Sequence, residues 1–164
     1  MISHAPEILL VEDDPQDVEL TLRAFRSENV QSRIEVVRDG EEALDYLFSR
    51  GLYKNRPADQ LPNLILLDLK LPKVGGFQVL QEIKSNPECA SIPVIVLTSS
   101  GEQRDIAESY KLGANSYIQK PVDIVEFRRA IKSLTDYWLG VNKLPFSPRQ
   151  RVSFKVTTSV ASDE

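Results

Sequence analysis

Histidine, cysteine and long apolar stretches are what this 164-residue chain has least of. A single cysteine, Cys89, excludes an internal disulfide and cannot build a structural zinc site by itself, which agrees with a reducing compartment. The single histidine, His4, stands near the amino terminus before Pro6. Serine or cysteine triads of the usual type, a phosphohistidine of the chain's own and histidine-based metal sites are therefore disfavoured. No apolar run exceeds four residues, far short of the ~20 that span a bilayer. Residues Met1 to Leu10 lack the basic start and long apolar core of a signal peptide. These absences predict a cytoplasmic protein without a membrane segment. Positive charge is also scarce where it would matter for nucleic acid: the chain is −4 overall, the segment 140–164 is +2, and residues 1–139 therefore carry −6. An acidic body with four scattered basic residues in its tail predicts no nucleic-acid partner.

What the chain does have is a series of short apolar runs that each end in polar groups. The central one is Leu64-Ile65-Leu66-Leu67, which ends in Asp68 and is followed by Pro72, Gly75 and Gly76. Four apolar residues before a carboxylate and turn formers predict a buried strand with Asp68 at its carboxyl end, where ligands sit in open parallel sheets. Desolvating a carboxylate costs several kcal/mol unless cations or donors compensate, so Asp68 needs a partner. Ile8 to Val11 runs into Glu12, Asp13 and Asp14; Val94 to Leu97 runs into Thr98, Ser99 and Ser100; Ser116 to Gln119 runs into Lys120 and Pro121. Parallel strands would gather three carboxylates, a hydroxyl and an ammonium at one sheet edge. Taken singly, each polar residue only punctuates its own strand; in this order they suit a divalent cation and a phosphoryl group.

Helical patterns separate the runs. Asp14-Pro15 reads as an N-cap and first helical residue, and Asp17 adds an acid to the first turn of a helix running to about Asn29, with Val18, Leu22 and Phe25 inward. Ile34 to Val37 is a strand, and Asp39-Gly40 opens a helix whose inner face is Ala43, Leu44, Leu47 and Phe48. Residues 50–62 form a long surface loop. Phe77, Val79, Leu80 and Ile83 mark a third helix, Glu102 to Leu112 a polar fourth capped by Gly113, and Val122 to Leu139 a long fifth. In the fifth, Ile124 or Val125, Phe127, Ile131, Leu134 and Trp138 are placed for burial. Five strands alternating with five helices predict an α/β fold, a doubly wound five-stranded parallel sheet. The domain is expected over 1–139. Residues 140–164 are an extended arm in which Val152, Phe154 and Val156 alternate with polar residues as in a further strand. Such a strand needs an edge to pair with, on its own sheet or a neighbour's.

A carboxylate that attacks phosphorus must approach a dianion, so a metal and a cation have to cancel the repulsion. Glu12, Asp13 and Asp68 are the hard oxygen donors that Mg²⁺ or Mn²⁺ prefers, and Lys120 supplies the point charge. V-E-D-D at 11–14, L-D-L-K-L-P at 67–72 with the glycines after it, L-T-S at 97–99 and Y-I-Q-K-P at 117–121 resemble the receiver domain of two-component response regulators, from about Glu7 to Trp138. The resemblance implies a flavodoxin-like receiver fold with Asp68 as the phosphoacceptor. It makes Glu12 and Asp13 the acidic pair, Lys70 the donor of a backbone carbonyl to the metal, Thr98 and Tyr117 the switch pair, and the Lys120-Pro121 bond cis. Gly75 stands where the family often has an acid, and Glu12 is the longer of the two acids common at its position; neither removes a ligand.

With no output domain in the sequence, the chain resembles a single-domain regulator. Asp13 to Asp17, the loop near Tyr53 to Pro62 and the Tyr137-Trp138-Leu139 ending are similar to regulators paired with phytochrome kinases. That similarity implies a sensor histidine kinase of phytochrome type as partner, and a homodimer through the last helix and the arm. Two other readings compete. An aspartate-based phosphatase needs an acid two residues after its nucleophile, where this chain has Lys70, so an enzyme with turnover is not expected. A degenerate receiver, or a binding module working without phosphorylation, is opposed by the intact Glu12, Asp13, Asp68, Thr98 and Lys120.

Overall fold

The computed structural model describes residues 7–28 and 32–145. Within them, strands β1 (Ile8–Val11), β2 (Ile34–Val37), β3 (Leu64–Leu67), β4 (Val94–Thr98) and β5 (Ser116–Gln119) alternate with helices α1 (Pro15–Ser27), α2 (Gly40–Leu47), α3 (Gly76–Ser85), α4 (Gln103–Lys111) and α5 (Ile124–Thr135). All strand pairs are parallel, in the order β2-β1-β3-β4-β5. From β1 the chain goes out to β2 and then back across to β3, so the direction of winding reverses beside β1. The crevice this leaves lies at the carboxyl ends of β1 and β3.

Strand residues alternate between two cores. Ile8, Leu10, Leu64, Leu66, Ile95 and Leu97 face a layer that holds Ala24 and Phe25 of α1 with Phe127, Ile131 and Leu134 of α5. Leu9, Val11, Ile65, Leu67, Val94 and Val96 face Ala43, Leu44 and Leu47 of α2 with Val79, Leu80 and Ile83 of α3. Burial on both faces is why β1, β3 and β4 are continuously apolar.

The caps follow the sequence. The Asp14 side chain accepts from the Gln16 amide with Pro15 at the first turn, and the Asp39 side chain accepts from the Glu42 amide. Gly113, at φ +104°, turns the chain out of α4 in a conformation that side chains resist.

Three expectations change. In α1, Thr21 and Ala24 take the buried positions beside Val18 and Phe25, and Leu22 is only half-buried; the apolar stripe turns slightly, since Thr21 bonds its hydroxyl to the Asp17 carbonyl at 2.7 Å and so satisfies its polar atom. In α5, Ile124 and Val125 are exposed and burial begins one turn on, at Phe127. The α-helix also ends at Thr135 and continues as a π-helical stretch, Asp136–Val141, over which Trp138 and Leu139 pack onto the core as partly buried residues. The alternating residues 152–160 of the arm lie outside the described residues.

Two long cations that the apolar pattern cannot reveal hold the connections. Arg56 donates to the carbonyls of Tyr46, Leu47, Pro57 and Gln60 and lies over the Tyr46 ring, 4.7 Å from its centre. It thereby ties the 48–63 loop to the carboxyl end of α2, adding a side-chain donor to the Tyr46 and Leu47 carbonyls. Lys84 donates to the carbonyls of Ala90 and Ile92 and to Asn115 Oδ1, at 3.1, 2.9 and 2.9 Å, and burial pushes its ammonium below the ordinary lysine range. Asn115 Oδ1 also accepts from the Val94 amide at 2.9 Å. Lys84→Met keeps the stem and removes the ammonium from the Ala90 and Ile92 carbonyls and from Asn115 Oδ1, which keeps the Val94 amide. It is expected to cost about 1–3 kcal/mol, read as a lower urea midpoint with an unchanged slope.

Candidate functional site

The register that pairs Val11 with Leu67 makes the next residues, Glu12 and Asp68, emerge side by side from β1 and β3. On the other side of β3, Thr98 ends β4 and is paired with Gln119 of β5. The Lys120 amide donates to the Thr98 carbonyl at 2.7 Å, which sets the lysine at the sheet edge. The four strand ends thus deliver their polar residues to one place.

Lys120 is the hub. Its Nζ donates to Glu12 Oε1 in a short contact, to Asp17 Oδ2 at 3.0 Å and to Asp68 Oδ2 at 3.4 Å. Glu12 is 2% and Asp68 7% exposed, so both carboxylates have lost most of their water. Backbone donors add to this: the Asp14 amide reaches Glu12 Oε2 at 3.2 Å and the Lys70 amide reaches Asp68 Oδ1 at 3.4 Å. The Glu12 carboxyl is pushed up to about 7, first by burial and then by the Asp68 charge, against the pull of its Lys120 hydrogen bond. Burial also acts to lower the Lys120 ammonium, but its hydrogen bonds to Glu12 and Asp17 and the charges of Asp68 and Glu12 outweigh that and hold it above the ordinary lysine value. One cation facing three carboxylates leaves the group with excess negative charge.

Glu12, Asp13 and Asp68 each offer an oxygen within 4.8 Å of the others. With no nitrogen or sulfur among them, and Asp13 partly open to solvent, this set fits a hard divalent ion such as Mg²⁺ or Mn²⁺ and suits neither zinc nor copper. Gly76 keeps the strand end close to α3: a Cβ there would fall 2.5 Å from the Asp68 carbonyl oxygen and 2.5 Å from Leu69 Cα. At Gly75 a Cβ meets nothing within 4 Å, so the absence of an acid at that position is not imposed by space.

Thr98 is fully buried, and its Oγ1 has no hydrogen-bond partner. Such a hydroxyl costs about 1–3 kcal/mol while it stays unpaired. Tyr117, half-buried, donates its hydroxyl to the Ser100 carbonyl at 2.8 Å, and burial is the first cause that pushes its phenol up. Thr98 ends β4, and the Tyr117 hydroxyl bonds to the connection that follows it. None of the peptide bonds among the described residues is cis, so the Lys120-Pro121 bond is trans, contrary to expectation. Trans is the lower-energy isomer of such a bond, and Lys120 reaches its three acids from it. The sequence reading placed Asp17 only in the first turn of α1 and missed its contact with Lys120. The spacing of Asp17 from Asp13, one turn into a capped helix, was the available signal.

A parallel doubly wound sheet with this acid and ammonium edge defines the class, and the chain belongs to the response regulator receiver domain family, which matches residues 8–132. Among particular relatives, response regulator Rcp1 of a Synechocystis species is 39% identical over 138 residues, 84% of this chain and 92% of Rcp1. A probable methanogenesis regulatory protein, FilR2, of Methanothrix harundinacea is 42% identical over 138 residues, 84% of this chain and 86% of FilR2. The crystal structure of the phosphorylated cyanobacterial phytochrome response regulator RcpA superposes with a TM-score of 0.79 at 41% identity, covering 86% of this chain and 99% of RcpA. The structure of the Mn²⁺-bound form of Rcp1 gives 0.77 at 37% identity, covering 86% of this chain and 100% of Rcp1.

The raised Glu12 value has a consequence for stability without metal. Between the ordinary 4.5 and about 7, the folded chain keeps a proton that the unfolded chain has released, so the stabilisation present below 4.5 is lost as pH rises through 7. In EDTA the urea midpoint is expected to decline between pH 5 and pH 8 (about one proton's worth of slope at most), and Glu12→Gln to flatten that decline.

Proposed function

We propose that this chain is a single-domain response regulator that takes a phosphoryl group onto Asp68 from a sensor histidine kinase and thereby switches its protein partners. The observation that carries this is the convergence of Glu12, Asp13, Asp68 and Lys120 at the carboxyl ends of β1, β3 and β5. In the transfer, an Asp68 carboxylate oxygen bonds to phosphorus as the P–N bond of the kinase phosphohistidine breaks. The electron pair of that bond returns to the imidazole nitrogen, and an acyl phosphate remains. Glu12, Asp13, Asp68 and the Lys70 backbone carbonyl would hold Mg²⁺ or Mn²⁺, which when bound offsets the negative charge of the phosphoryl oxygens. Lys120 neutralises the phosphoryl group from the other side. The unpaired Thr98 hydroxyl is a ready donor for a phosphoryl oxygen, and Tyr117 then follows the β4–α4 connection as it moves. The phosphoryl group shifts this equilibrium only by the difference in its contacts with the two states.

The likeness to the phytochrome response regulator RcpA supports a phytochrome-type kinase as the donor. No helix among the described residues is long and apolar enough to cross a membrane, and the acidic body argues against nucleic acid; a cytoplasmic signalling role suits both. The receiver domain is taken as 1–139 and the arm as 140–164. The exposed Tyr137 and Val141 beyond α5 suit a homodimer formed by the last helix and the arm.

Acetyl phosphate with Mg²⁺ is expected to label the wild-type chain and to leave Asp68→Asn unlabelled in intact-mass measurements; equal labelling of both would refute the assignment. In light scattering the full chain is expected to run as a dimer and a chain ending at residue 145 as a monomer.

A further inference from the structure

Asp17 stands outside the metal-binding set of Glu12, Asp13 and Asp68, yet it is nearer to the Lys120 ammonium, at 3.0 Å, than Asp68 is at 3.4 Å. A lysine ammonium has three N–H donors, and Glu12, Asp17 and Asp68 occupy all three. Two of those partners have a second task, since Glu12 and Asp68 belong to the set that suits a divalent ion. Holding that ion would take the Glu12 carboxylate from Lys120, and phosphorylation would convert the Asp68 carboxylate into an acyl phosphate. Asp17 has no such second task. Its own position is fixed: Pro15 and the Asp14 cap set the first turn of α1, and the Asp17 carbonyl accepts from Thr21 Oγ1 at 2.7 Å. Its side chain is 34% exposed while that of Lys120 is 10% exposed, so Asp17 closes the solvent side of the ammonium.

We infer that Asp17 is a positioning residue: it retains Lys120 when Glu12 passes from the ammonium to the metal, and so lets one carboxylate serve a cation without releasing the other. The phosphoryl role of Lys120 in this inference rests on the function proposed above; the hand-over of Glu12 does not. If Asp17 is absent, Lys120 has one acid fewer to turn to and holds Glu12 more firmly, so metal binding weakens through a residue that is not a ligand.

Calorimetric titration of the full chain with MgCl₂ tests this independently of phosphorylation. Asp17→Asn is expected to weaken Mg²⁺ binding by about three- to tenfold, the scale of one charge-assisted contact between partly buried groups, and Asp17→Glu to recover part of the loss. In a Lys120→Met background, Asp17→Asn should have no further effect, because its influence runs through the ammonium. An unchanged affinity in the single variant overturns the inference. So does the same loss in both backgrounds, which would make Asp17 no more than a general negative charge. Acetyl phosphate labelling at saturating Mg²⁺ supplies the second readout, with Asp17→Asn expected to label more slowly than wild type; labelling as fast or faster counts against it. Failure of the wild-type chain to label at all would refute the phosphoryl acceptor assignment and leave the Mg²⁺ titrations to decide the role of Asp17.

Discussion

A single ammonium shared by three carboxylates sets the terms for the whole sheet edge. Glu12 and Asp68 leave water almost entirely, and their mutual repulsion at the ends of adjacent strands would be hard to sustain without Lys120 between them. Replacing such a group with apolar side chains would often cost nothing in stability, so its presence is better explained by what it binds than by what it holds up. The excess of negative charge makes the edge receptive to a divalent cation.

The scaffold presents this group by elementary means. Parallel pairing aligns the carboxyl ends of β1, β3, β4 and β5, and a one-residue slip of β1 against β3 would turn Glu12 or Asp68 to the wrong face. Two apolar layers, one under α1 and α5 and one under α2 and α3, pin that register from both sides. The strand ends are therefore held from both faces, while the β4–α4 connection begins at a Thr98 hydroxyl without a hydrogen-bond partner and is tied to β5 by the Tyr117 bond to the Ser100 carbonyl.

Chemistry that sits at strand ends is legible because apolar runs advertise the strands, and each run stops at the residue that matters. Glu12, Asp13, Asp68, Thr98 and Lys120 were all visible in this way, as were the Asp14 and Asp39 caps. Long charged side chains gave no such sign. The pattern of Arg56 and Lys84 is that of any surface cation, and only the folded chain brings four carbonyls around one and three oxygens around the other. Ile124 and Val125 had the spacing of core residues and are exposed, since hydrophobic periodicity states which face a residue takes and not whether a neighbour covers that turn.

By itself, then, the sequence determined the order of elements, the parallel sheet and the polar residues at its carboxyl edge, because those follow from local periodicity and from handed crossover rules. Tertiary structure decided which acid faces which cation. Asp17 and Asp68 lie 103 and 52 residues from Lys120, and no local pattern carries a distance between side chains so far apart in the chain. That proximity is a property of strand order and register, which exist only once the sheet has closed around its two cores.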